Sequence, residues 1–119
     1  MDIETYSKLA IRTAPVETAS LSGIVHAALG IGGESGEILD HVKKVAYNHR
    51  ELDVNHLVAE IGDCVWYINF MLANLKVDWS TVLKKNIAKL EARYPDGVYD
   101  HYMSLNRDVE EEQAAMDAV

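Results

Sequence analysis

The chain has 119 residues and a 49% hydrophobic composition, enough for one globular domain or one subunit of an assembly. Its formal net charge of −8, from 11 Lys and Arg against 19 Asp and Glu, excludes a broad basic surface for DNA or RNA. The single cysteine, Cys64, excludes an intramolecular disulfide and fits a reducing compartment.

Met1-Asp2-Ile3-Glu4-Thr5 lacks the basic and then apolar pattern of a secretion signal. The longest apolar run, Cys64 to Leu72, is interrupted by Asn69 and is too short to cross a bilayer, so a soluble cytoplasmic protein is expected. A first helix is predicted over about residues 2–13, stopped by Thr13-Ala14-Pro15. A second, short helix follows to about Leu29. Gly30, Gly32 and Gly33 are then expected to bend the chain into a helix over about 34–48, whose first turn is acidic as the macrodipole prefers.

The clearest helix runs from about Val54 to Leu75: Leu57, Ile61, Cys64, Ile68, Met71 and Leu75 recur at steps of three and four. Val58, Val65, Trp66, Phe70 and Leu72 make its other faces apolar, which predicts a central helix covered by its own chain and by another subunit. Asp78 caps a further helix over about 79–93, and Tyr94-Pro95-Asp96-Gly97 turns the chain out of it. Residues 105–119, with Glu110-Glu111-Glu112, read as an acidic helix or tail. No alternating strand pattern of useful length appears, so the fold class is all-α, an antiparallel helical bundle.

Two carboxylate pairs stand out, Glu34-Ser35-Gly36-Glu37 and Glu60-Ile61-Gly62-Asp63. Residues i and i+3 share a helix face, so each pair aims two carboxylates at one point. Either pair alone is what a solvated acidic face produces, and together they say more, because Glu60 and Asp63 interrupt an otherwise apolar helix. Two such helices face to face would gather a charge too costly to bury without cations, which points to a hard divalent metal.

On a helical wheel Glu60, Asp63 and Tyr67 form one stripe with His56 a turn earlier, and Trp66 points elsewhere. Glu34, Glu37, Ile38 and His41 group on the preceding helix. Lys85, Asn86, Lys89 and Arg93 group on the last core helix, beside an apolar stripe of Leu83, Ile87, Leu90 and Tyr94. Carboxylates for Mg²⁺ or Mn²⁺ and cations for residual negative charge suit phosphoanhydride hydrolysis by an activated water. His41 and His56 read as supporting or surface residues, and Cys64 as an inert core residue.

These residues resemble the all-α MazG-like nucleoside triphosphate pyrophosphohydrolases. The resemblance lies in the E-x-x-E then E-x-x-D pattern of Glu34, Glu37, Glu60 and Asp63, in Ala28-Leu29-Gly30-Ile31-Gly32-Gly33 before it, and in Cys64-Val65-Trp66-Tyr67 after it. Asn86-Ile87-Ala88-Lys89-Leu90 and Arg93-Tyr94-Pro95-Asp96-Gly97 resemble the ending of many small members, stand-alone bacterial or phage proteins. The resemblance implies a helical pyrophosphohydrolase domain over residues 1–104 whose core is completed by dimerisation, as a homodimer or a dimer-of-dimers tetramer. It implies hydrolysis of an NTP or dNTP to the monophosphate and pyrophosphate with Mg²⁺ or Mn²⁺, more than one ion per site, in bacterial cytoplasm or that of a phage's host.

By the same resemblance Glu34, Glu37, Glu60 and Asp63 ligate metal, one of the first pair acting as base. Tyr67, Lys85, Asn86, Lys89 and Arg93 meet phosphate or nucleotide, and His26, Leu29, Ile31 and Trp66 wall the base pocket. Two other functions would draw on an acidic helical core. A redox di-metal bundle uses Glu-x-x-His motifs, and no such motif occurs. A non-catalytic dimer that senses metal and nucleotide would use the same acids without turnover.

Overall fold

A computed structural model describes residues 1–15 and 19–119, with no strand among them. The helices run in the order α1 (Ile3–Ile11), α2 (Leu21–Tyr47), α3 (Val54–Leu75), α4 (Trp79–Arg93), α5 (His101–Leu105) and α6 (Val109–Asp117). Each starts where a short polar side chain accepts one of the N–H groups that a helix leaves unpaired in its first turn. Asp2 accepts from Thr5, Ser20 from Gly23, Asp53 from His56, Asp78 from Thr81, Asp100 from Met103 and Asp108 from Glu111. Part of the acidic excess thus serves helix starts.

The helices expected at 54–75 and 79–93 form with those bounds as α3 and α4, and the first forms as α1. The bend expected at Gly30, Gly32 and Gly33 does not form, because α2 runs unbroken from Leu21 to Tyr47. A glycine-rich stretch has poor intrinsic helicity, but packing along a whole face overrides propensity. Gly30 is needed for contact: a Cβ there would lie 2.1 Å from the Tyr67 ring. The beginning expected for the second helix, just after Pro15, falls at residues 16–18, outside the described residues. The short α5 is too brief to leave a periodic signal, and the acidic segment beyond Leu105 contains a helix, α6.

The chain divides into two compact units, Met1–Val77 and Asp78–Val119. In the first, α2 and α3 pack antiparallel, since contacting positions rise along α2 as they fall along α3. Gly23 meets Asn74, Gly30 meets Tyr67, Glu34 approaches Asp63, and His41 stacks near His56. Steps of seven, four and seven on α2 keep one seam against α3 from end to end.

Helix α1 ties to α3 through Trp66 Nε1 donating to Thr13 Oγ1 at 2.8 Å and Asn69 Nδ2 donating to the Ser7 carbonyl at 3.2 Å. Among the described residues Ala10, Ala27, Phe70 and Leu72 are the buried apolar ones, with Phe70 1% exposed. Lys76, left-handed at φ 56°, closes α3, and Val77 N–H returns to the Leu72 carbonyl.

In the second unit α4 packs against α6. Gly97, at φ 76°, takes the turn expected after α4, with its N–H bonded to the Tyr94 carbonyl. Among the described residues no helix is long and apolar enough to cross a membrane.

Candidate metal centre

Glu34 sits one turn beyond Gly30, where the bare glycine lets α3 lie close against α2. Glu60 and Asp63 lie one turn apart on α3 and meet it there. One carboxylate oxygen from each of Glu34, Glu60 and Asp63 lies within 4.8 Å of the others. Glu37, a turn further along α2, is exposed and outside this gathering.

Every influence on the Glu34 carboxyl pushes its pKa above the ordinary value. The hydrogen bond of its protonated form with Glu60 is the largest, followed by burial and by repulsion from Asp63, Glu60 and Glu37. Glu60 is half-buried with a side chain 14% exposed, and its Oε2 is fully enclosed without a hydrogen-bond partner. A carboxylate oxygen in that position is suited to accept a hydrogen bond or to ligate a cation. The donor set is all oxygen, the chemistry that Mg²⁺ and Mn²⁺ prefer, so the residues fit such an ion.

Neighbours of the acids hold them in place. Glu60 Oε1 lies 3.7 Å from His56 Nε2, and the His56 ring stands 5.0 Å from that of buried His41. His41 Nε2 accepts the Asp53 N–H at 3.1 Å, which requires a neutral imidazole with its proton on Nδ1. His41 therefore ties the start of α3 to α2. The Cys64 thiol is pushed up by burial first and then by Glu34, Glu60 and Asp63, so it stays protonated and inert. Burial and then Asp63 likewise raise the Tyr6 phenol.

A cavity of about 360 Å³ opens beside the acids, lined by Glu34, Asp63, Trp66 and Tyr67. The wheel set Trp66 apart from the acidic stripe. The indole is wide enough to reach the same space, and its Nε1 is anchored on Thr13. Of the other expected base-pocket residues, His26 packs edge-on against Phe70 at 5.4 Å and near Tyr67 at 6.1 Å. Ile31 is half-buried and Leu29 is 71% exposed.

The α4 stripe is described within its own unit. Lys85 Nζ donates to the Met116 carbonyl at 2.6 Å, Lys89 is half-buried and Asn86 is exposed. Arg93 bonds Glu112 through Nε at 2.9 Å and Nη2 at 3.1 Å. Arg107 joins the same carboxylate through Nε at 3.0 Å and Nη2 at 2.6 Å. Sequence reasoning passed over Arg107 and Glu112. The available signal was that Glu112, Ala115 and Met116 share a face at steps of three and four, with the acid inside it.

The sequence model of the MazG nucleotide pyrophosphohydrolase domain matches residues 26–98, which span the gathered acids and all of α4. The chain is similar to Gene 37 protein of Mycobacterium phage L5, at 33% identity over 106 residues that cover 82% of this chain and 93% of that protein. No solved structure matches.

Proposed function

The chain belongs to the MazG nucleotide pyrophosphohydrolase domain family, and from that premise we propose that it hydrolyses an NTP or dNTP to the monophosphate and pyrophosphate, trimming or cleaning a cytoplasmic nucleotide pool. The observation that carries this reading is the convergence of Glu34, Glu60 and Asp63 around an enclosed, unbonded Glu60 oxygen, inside the region that the family matches.

Glu34, Glu37, Glu60 and Asp63 are assigned to Mg²⁺ or Mn²⁺, with more than one ion per site. Bound there, the ions supply positive charge to the phosphate oxygens. One of Glu34 and Glu37 takes the proton from the attacking water; the proton affinity of Glu34, raised by its neighbours, suits Glu34 to that role. Tyr67, Lys85, Asn86, Lys89 and Arg93 meet the phosphates and nucleotide, the arginine offering a fork that fits two phosphate oxygens. Trp66 and His26, with Leu29 and Ile31, border the base. The tryptophan ring beside the acids supports that assignment, because a base stacks on an aromatic face.

The assembly is a homodimer or a dimer of dimers. Leu21, Val25, Leu29 and Leu39 share one face of α2 and are exposed, as are Val58 and Ile61 on α3. Such stripes beside so small a buried set are what a second copy would cover, and light scattering on the purified chain tests this.

The decisive assay incubates the protein with Mg²⁺ or Mn²⁺ and each common NTP and dNTP, separating pyrophosphate from orthophosphate. Monophosphate with pyrophosphate is the expected product pair. Binding of metal and nucleotide without turnover would instead establish a sensing dimer.

A further inference from the structure

Glu112 is a buried charge with no part in the reading above. It is 2% exposed, and its two oxygens receive four N–H bonds, two from Arg93 and two from Arg107. Each arginine presents the same edge, Nε with Nη2, so each guanidinium is fixed by a two-point grip on the carboxylate. One arginine would neutralise the carboxylate and fasten α6 to α4. The second is not needed for neutrality: it leaves the group of three with a net positive charge, carried on the exposed guanidinium of Arg107, where an anion can reach it.

Exposure is uneven: the side chain of Arg107 is 42% exposed and that of Arg93 is 17% exposed. Lys85 on the same α4 stripe is held by the Met116 carbonyl near the end of α6. Helix α6 therefore orients two of the cations assigned to phosphate. Arg107, Glu112 and Met116 lie beyond the region that the family matches, so this arrangement belongs to the chain's own C-terminal segment.

We propose that Arg93, Glu112 and Arg107 form a polyphosphate clamp, in which Glu112 is a positioning residue that aims both guanidiniums and Arg107 is a second phosphate-binding cation. The clamp rests on the pyrophosphohydrolase reading for its substrate, but its anion site is measurable without turnover. A phosphate that displaced Glu112 would have to break four charge-assisted bonds to a tethered carboxylate, so the clamp works with the three groups intact.

The test is calorimetric titration of inorganic pyrophosphate with Mg²⁺ into the full chain and into Arg107→Ala, Arg107→Lys and Glu112→Gln, with melting curves, Mn²⁺ affinity and steady-state kinetics alongside. Arg107→Ala should weaken pyrophosphate about 10-fold or more and raise KM with kcat largely kept, leaving Mn²⁺ affinity unchanged. Arg107→Lys should recover part of the loss, because charge returns without the fork. Glu112→Gln should weaken pyrophosphate to a similar extent.

Unchanged pyrophosphate affinity in Arg107→Ala, at a temperature where it is folded, overturns the clamp and leaves a structural staple. Tighter binding in Glu112→Gln overturns it in favour of α6 as a competitor of substrate. If Glu112→Gln does not fold, Arg107→Ala decides alone. Arg107-dependent pyrophosphate binding by a protein that turns over no nucleotide would keep the clamp and remove the hydrolase reading; turnover with Arg107-independent binding would do the reverse.

Discussion

A cluster of three carboxylates and a single one elsewhere in the chain meet opposite fates. In the first unit Glu34, Glu60 and Asp63 crowd within 4.8 Å of one another, and one oxygen of Glu60 is enclosed without a donor. In the second, Glu112 is more deeply buried yet has two arginines. Burial differs in degree, with Glu34 and Glu60 half-buried and Asp63 exposed, and the electrostatic sign is reversed: the carboxyl of Glu34 is raised, whereas that of Glu112 is held far below its ordinary value, first by Arg107 and then by Arg93. A buried charge with its counter-charge supplied is architecture. Crowded carboxylates without one are what the proposed metal would neutralise.

The sharpest break in that comparison is Glu60→Gln or Asp63→Asn, expected to lower turnover by about 100-fold or more while leaving the metal-free melting temperature equal or higher. Saturating Mn²⁺ should raise the melting temperature of the wild type and much less that of either variant. Wild-type rates in both would remove the metal assignment. Glu112→Ala runs the other way, lowering the melting temperature on the order of 10 °C because it strands two arginines. A melting temperature close to wild type would show that the pair does not fasten α6.

Acidification separates the two groups without mutation. Glu112, with its folded pKa depressed, contributes stability that is present above the ordinary glutamate value of 4.5 and is lost as pH falls through the lower folded value. Glu34, with its folded pKa raised, contributes stability that is full below 4.5 and is lost as pH rises through the higher folded value. In metal-free denaturation curves, Glu34→Gln should therefore gain on wild type as pH rises above 4.5. The deficit of Glu112→Gln relative to wild type should instead shrink progressively as pH falls below 4.5. Parallel curves for both variants would erase the distinction.

Smaller effects probe the frame that holds the acids. Gly30→Ala would drive a Cβ into the Tyr67 ring and should cost about 1–3 kcal/mol in urea unfolding, with a larger loss of activity than of stability because Glu34 is displaced. Lys76→Gly relieves a left-handed residue at the end of α3 and should stabilise by about 1 kcal/mol with unchanged activity.

The sequence made α3 and α4 legible to their bounds because both carry strong periodic signals, a capping aspartate and a clear stop. It misled at Gly30, Gly32 and Gly33, where glycine reads as a bend. There a tertiary contact between Gly30 and Tyr67 fixes the helix, and no local rule detects a partner 37 positions away. The acid pairs were visible as spacing, but their register was not. Which oxygens converge depends on the α2–α3 seam, and that seam brings Glu34 to Glu60 and Asp63 and leaves Glu37 exposed. Glu112 was hidden in an acidic run whose members look alike until α6 packs.

The unbroken α2 also sets what lengths of chain this protein can tolerate. One residue inserted between Gly30 and Glu34 would rotate every later position by about 100°, turning the carboxylate away from α3 while Gly30 stayed against Tyr67. The same insertion among residues 49–52, between α2 and α3, can be absorbed by the connecting chain. Length variation in natural or engineered versions of this protein should therefore collect in that connection and be nearly absent from the four-residue interval that indexes the acid to the glycine.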